Sequence, residues 1–134
     1  MLVAAYEELV SFLADPPRLL VGIVHGDVYR ANLRMEAGRI VGVIDWEDAR
    51  LDWPAWELAN AAWEVCKVGD SLDAERCRAF VGSYVAADGP AEPEFLPQLV
   101  RARLVADVLY SLTSKARGEP FDEGYVHDLL RALA

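Results

Sequence analysis

Leu2, Tyr6, Leu9, Val10 and Leu13 recur at intervals of three and four, so residues 2–14 are expected to form an amphipathic helix. Asp15-Pro16-Pro17 ends it, because a proline ring cannot continue the hydrogen-bond ladder and restricts the residue before it. The apolar run Leu19–Val24 then reads as a buried extended segment. "NLRMEAGRIVGVID" reads as a β-hairpin, with strands Leu33–Met35 and Ile40–Ile44 joined by the short loop Glu36–Arg39, where Gly38 can take positive φ.

Helical spacing resumes beyond the hairpin. Asp52 is a candidate N-cap for a helix from Pro54 to about Lys67, with Trp56, Ala59, Trp63 and Cys66 on one face. Gly69-Asp70-Ser71 breaks the chain, and Cys77, Phe80, Val81, Tyr84 and Val85 mark the next helix. "DGPAEPE" is a loop. A long helix follows with Val105, Val108, Leu109 and Leu112 on one stripe, and Gly118 and Pro120 punctuate its end. Tyr125, Val126, Leu129, Leu130 and Leu133 mark a terminal helix. With no internal repeat or low-complexity tract, residues 1–134 read as a single domain of the α+β class, mostly α, with one small hairpin.

Composition narrows the function classes. A chain of 134 residues that is 54% hydrophobic can bury a real core. No apolar run reaches the roughly 18 residues of a membrane span. The first residues carry Glu7 and Glu8 and no basic group, unlike a secretory leader, so a cytoplasmic location is expected. A net charge of −9 argues against a nucleic-acid partner and tilts the expected ligand toward a cationic small molecule. Cys66 and Cys77 are too few for a disulfide framework and read as small apolar core residues.

Three polar residues stand at the ends of apolar runs. Asp27 and Asn32 lie in "HGDVYRAN", after "LLVGIV", and Asp45 closes "IVGVI". A hairpin can return its far end beside its start, which brings Asp45 near Asn32 and facing Asp27. Oxygen ligands grouped in this way suit a hard cation such as Mg²⁺, and a nearby free carboxylate can accept a hydroxyl proton. On spacing alone, turn capping by Asp27 and Asn32 and N-capping by Asp45 are the more common fates of such residues.

"HGDVYRAN", followed after a hairpin by "IDWED" and "DWPAWELANAAWE", resembles the aminoglycoside phosphotransferase and small-molecule kinase family, related to protein kinases. The resemblance runs from about residue 18 to 64. It implies the helical C-terminal lobe of a protein-kinase-like fold, with a small β-hairpin next to the catalytic loop. It implies that Asp27 is the catalytic base or orients the acceptor hydroxyl. Asn32 and Asp45 would bind Mg²⁺ carrying the phosphates of ATP or GTP. His25 would bridge the catalytic loop to the segment around Asp45, Gly26 would let the backbone bend, and Glu57 would hydrogen-bond the loop. Arg30 stands in a variable part of the motif and either contacts phosphate or pairs with a local acid. Glu47, Asp48 and Asp52 either greet a cationic acceptor or cap turns. Trp46 and Trp53 either floor the acceptor pocket or pack the core. His127 is assigned nothing.

A complete kinase of this family also has an N-terminal lobe with a phosphate-covering loop and a lysine paired to a glutamate. Only 24 residues precede His25, and the only lysines, Lys67 and Lys115, lie downstream. The expectation is therefore a partial phosphotransferase chain, weakly active or inactive alone, whose partners are a nucleotide, a small-molecule acceptor and the missing lobe. The alternative is a non-catalytic binding or self-association module. A metal-dependent hydrolase using the same three residues ranks last.

Overall fold

The computed structural model describes residues 2–134. Five α-helices dominate: α1 (Leu2–Ala14), α2 (Pro54–Cys66), α3 (Ala74–Ala86), α4 (Leu96–Ala116) and α5 (Glu123–Ala132). Six short strands pair antiparallel as three two-stranded ribbons. These are β1 (Gly22–Val24) with β4 (Arg50–Asp52), β2 (Leu33–Glu36) with β3 (Arg39–Val43), and β5 (Lys67–Val68) with β6 (Ser71–Leu72). A 3-10 turn at Arg30–Asn32 leads into β2, and another at Pro93–Phe95 leads into α4.

The long helix α4 lies at the centre, against α1, α2 and α5. Ala55, Ala59 and Ala62 recur at i, i+4 and i+7 on α2 and are buried, and small side chains there let α4 approach closely. Leu99, Val105 and Val108 answer from α4. Val126 and Leu129 of α5 and Leu133 just past its end close the far side. Asp73 and Asp122 cap α3 and α5 by accepting the amide hydrogens of Arg76 and Tyr125.

Several expectations from the sequence need correction. The buried face of α1 is built on Ala5, with Leu2, Leu9 and Phe12 against the core, whereas Tyr6, Val10 and Leu13 are exposed. Both stripes fit a helical period, and the one containing the small Ala5 is the one that lies close to α4. Of the run Leu19–Val24, only residues 22–24 are strand and only Val24 is deeply buried. Ile23 is 78% exposed, because its partner across the ribbon, Leu51, is itself on an open face. Asp52 does not cap α2: Trp53 occupies that position, and Asp52 accepts the Trp53 amide hydrogen and pairs with Arg50 instead. On the long helix Val105 and Val108 are buried, but Leu109 and Leu112 turn outward. On α3 no residue is fully buried: Phe80, Val81 and Tyr84 lean on the core, and Val85 is exposed. Cys77 is only half-buried, unlike Cys66. The single expected hairpin is joined by two more ribbons, whose two- and three-residue strands are too short for a period-2 signal.

The β2–β3 hairpin turns through Ala37 and Gly38, both at positive φ, 46° and 76°. Two left-handed residues give the turn the twist of the flanking strands. The register slips between Arg34 and Met35, leaving Val41 as the extra residue of a bulge. Alanine is strained where asparagine and glycine are favoured. Ala37→Asn is expected to stabilise the chain by about 0.5–1 kcal/mol, read as a higher urea midpoint with unchanged slope.

Candidate active site

His25 follows β1 directly and is buried. Its Nε2 donates to the carbonyl of Ile44 at 2.8 Å, and its Nδ1 accepts the amide hydrogen of Asp27 at 3.3 Å. Both ring nitrogens are thus used, in one tautomer, and the ring stands edge-on to Trp46 at 4.7 Å between centroids. Gly26 has φ 89°, and a Cβ there would lie 2.4 Å from the Asp48 carbonyl oxygen. Only glycine lets the loop close against that turn. From the first turn of α2, Glu57 accepts the Gly26 amide hydrogen at 2.9 Å.

Asn32 is also buried. Its Nδ2 donates to the Asp27 carbonyl at 2.9 Å and to Asp27 Oδ2 at 3.1 Å. Its own carbonyl accepts the amide hydrogen of Ile44 at 3.0 Å. Asp45 comes next in the chain, exposed, with φ 66°. That left-handed residue re-aims the chain as it leaves β3. The structure therefore joins Asp27 and Asn32 directly and sets Asp45 one residue beyond the Ile44 backbone pairing with Asn32. With its nitrogen spent on Asp27, Asn32 has Oδ1 to offer a cation, and Asp45 is the next carboxylate along the chain past Ile44. One neutral and one anionic oxygen fit Mg²⁺, which is commonly held by one or two protein groups and completes its shell with phosphate and water. No group of three or more His, Cys, Asp or Glu residues that could hold a metal is present among the described residues. Arg30 is exposed in the 3-10 turn just before Asn32. Glu47 and Asp48 are exposed, and Trp46 is exposed apart from its contact with His25.

A cavity of about 440 Å³ opens on Asp27. Trp56, Asn60 and Glu64, spaced i, i+4 and i+8, line it from α2, and Arg103 and Asp107 from α4. Glu47 and Asp48 are not among its lining residues. Arg103 spans two carboxylates, reaching Glu64 Oε1 at 3.3 Å and Asp107 Oδ2 at 3.5 Å. The Tyr125 hydroxyl donates to Asp107 Oδ2 at 3.3 Å. Burial raises the Asp107 carboxyl above its ordinary range against the opposing pull of Arg103. Sequence reasoning missed Asn60, Glu64, Arg103 and Asp107. Their only signal is a polar residue every fourth position on an otherwise apolar helix, which reads equally as a solvated face.

The model of the phosphotransferase enzyme family matches residues 2–97. The chain belongs to that family. Over 134 aligned residues it is 30% identical to a homoserine kinase of Pseudomonas aeruginosa, covering 96% of this chain and 41% of that protein. It is 38% identical over 73 residues to a homoserine kinase of Methylobacillus flagellatus, covering 54% of this chain and 23% of that protein. The chain thus spans between 23% and 41% of the length of these phosphotransferase-family relatives. A solved thermostable mutant of an aminoglycoside phosphotransferase, in ternary complex with AMP-PNP and hygromycin B, shares the fold. Its TM-score is 0.61 at 24% identity, over 98% of this chain and 40% of that one. The kinase-like fold with its helical C-terminal lobe accords with this match. No described helix is long and apolar enough to cross a membrane.

The groups packed behind the cavity have a pH signature. Burial, with help from Asp107, pushes the Tyr125 hydroxyl from 10.0 up to about 12. Between those values the folded state keeps a proton that the unfolded chain releases, so stability falls as pH rises through that window. Cys66, raised by burial from 9.0 to about 11, adds a slope of the same sign starting lower. Tyr125→Phe is expected to flatten the upper part of the decline and leave the Cys66 part, in urea unfolding followed across the alkaline range.

Proposed function

We propose that this chain carries the catalytic loop and acceptor side of a Mg²⁺- and ATP-dependent O-phosphotransferase acting on a small-molecule hydroxyl. The observation that carries this reading is the double hydrogen bond from Asn32 to Asp27, supported by the backbone pairing of Asn32 with Ile44, the residue before Asp45. The family match agrees with it, as do relatives described as homoserine kinases and a fold neighbour described as bound to AMP-PNP.

In this reading Asn32 fixes Asp27 Oδ2, leaving Oδ1 for the acceptor. The hydroxyl oxygen attacks the γ-phosphorus in line, the bond to the β–γ bridging oxygen breaks, and ADP leaves. The hydroxyl proton passes to Asp27. Asn32 Oδ1 and the Asp45 carboxylate hold Mg²⁺, which neutralises phosphate charge when bound. Arg30, exposed beside Asn32, is placed for a phosphate contact. His25, Gly26 and Glu57 position the loop. Phosphoryl transfer asks mainly for such positioning and charge neutralisation.

Asp27→Asn is expected to lower transfer by at least about 100-fold while sparing Mg·ATP binding. Asp45→Asn, which tolerates the left-handed backbone, is expected to weaken Mg²⁺-dependent nucleotide binding by more than roughly tenfold. Titration calorimetry with and without Mg²⁺ separates the two. Absence of Mg·ATP binding, with Asp45→Ala changing neither binding nor melting, would overturn the metal assignment.

One observation favours a second reading. Ile23 and Leu51 face each other across β1–β4 at 78% and 74% exposure, and Ile40 and Val41 on β3 are also open. An apolar face of this kind suits self-association. Sedimentation equilibrium is then expected to show a dimer that Ile23→Lys dissociates. A monomer at all concentrations would sink this reading.

A further inference from the structure

Cys66 and Cys77 take no part in the site around Asp27, yet the fold brings them together. Cys66 is the last residue of α2 and is buried. The β5–β6 ribbon turns the chain straight back, and the Asp73 amide donates to the Cys66 carbonyl at 2.9 Å. Asp73 is the N-cap of α3, and the Cys77 amide donates to the Asp73 carbonyl at 2.9 Å. Cys77 thus stands one helical turn from the residue paired with Cys66. It precedes Phe80, Val81 and Tyr84 at helical spacing and shares the face by which α3 leans on the core. That helix packs against α2, and the two thiols interact side chain to side chain. The pair is unequal. Burial, with Cys77 alongside, pushes the Cys66 thiol up to about 11, so it stays protonated and shielded. Cys77 is only half-buried and can meet a dissolved reagent.

Of the five α-helices, α3 alone has no fully buried residue. Its Phe80 and Tyr84 nonetheless line a cavity of about 340 Å³ together with Val28, next to Asp27, and Glu57, which holds Gly26. A covalent tie from α2 to the first turn of α3 would fix this weakly anchored wall. We propose that Cys66 and Cys77 form a reversible disulfide on exposure to a small-molecule disulfide, clamping α3 to α2. The Cys77 thiolate attacks one sulfur of the reagent, whose first thiolate leaves, giving a mixed disulfide on Cys77. Cys66 then gives up its proton and attacks the Cys77 sulfur, and the second thiolate of the reagent leaves. Two protein thiols are oxidised, and one small disulfide is reduced to two thiols. The proposal does not depend on the phosphotransferase reading.

Oxidised glutathione is the probe, applied to the reduced, folded chain. The intact mass is expected to fall by two hydrogens, with less than about a tenth of the chain retaining glutathione. Trypsin cuts after Lys67 and Arg76, so Cys66 and Cys77 fall in separate peptides that only a bridge joins. The bridged chain is expected to melt at least about 5 °C higher than the reduced one, and dithiothreitol to reverse the shift. In urea the ratio of bridge to mixed disulfide is expected to fall at least about tenfold, because the two sulfurs are no longer held together. Cys66→Ala is expected to keep one glutathione on Cys77. Cys77→Ser is expected to react at least about tenfold more slowly, since the remaining thiol is buried. Peptide mapping of the unaltered chain decides the matter even where a variant does not fold. Two thiols left free, a lasting mixed disulfide on Cys77, a covalent dimer, an equal bridging ratio in urea, or a bridged chain that melts lower would each overturn the proposal.

Discussion

The hydrogen bond from buried His25 to the Ile44 carbonyl is the tie on which the site depends. It joins the end of β1 to the end of β3, and the Ile44 amide returns the connection to Asn32. Together these bonds tie the loop that carries Asp27 and Asn32 to the chain at Ile44, the residue before Asp45. Each neutral bond contributes only about 1 kcal/mol net, but orphaning either buried partner costs roughly 1–3 kcal/mol. The tie therefore acts chiefly against alternative arrangements of the loop. Gly26 adds a steric condition, since any Cβ there would strike the Asp48 carbonyl.

Helix α2 is the frame for both halves of the site. Its alanines face α4 in the core, its first turn holds Gly26 through Glu57, and a third face presents Trp56, Asn60 and Glu64 to the cavity. One rigid element thus sets the catalytic loop and the cavity wall relative to each other. That is how a loop side chain such as Asp27 can be held to tolerances that exposed β-ribbons alone would not give.

Much of this was legible in the sequence. The five helices followed from apolar period and proline placement, and the hairpin from Gly38 and its flanking residues. The loop motif by itself points to Asp27, Asn32 and Asp45. The apolar runs beside those residues misled, because hydrophobic composition does not say which face is covered: Ile23 and Val41 look like core and are open. The minor ribbons were hidden because pairing over two or three residues is imposed by the helices around them. The cavity residues were hidden because Arg103 and Asp107 at i, i+4 read as an ordinary surface ion pair. Only the packing of α4 against α2 shows that they share a cavity with Asp27.

The family match and the cavity divide the chain unequally. Residues 2–97 include the loop, Asn32, Asp45 and the α2 face of the cavity, while Arg103, Asp107 and Tyr125 all lie beyond them. The part that resembles the family model is the part that any transfer from a nucleotide would need. The opposite wall of the cavity comes from α4, with Tyr125 of α5 holding Asp107 from behind. A net charge of −9 over the whole chain says little about that wall, since its half-buried guanidinium, Arg103, is placed between two acids. In a cavity of this kind local pairing of donors and acceptors outweighs global charge, because buried and unmet polar groups carry the larger free-energy differences.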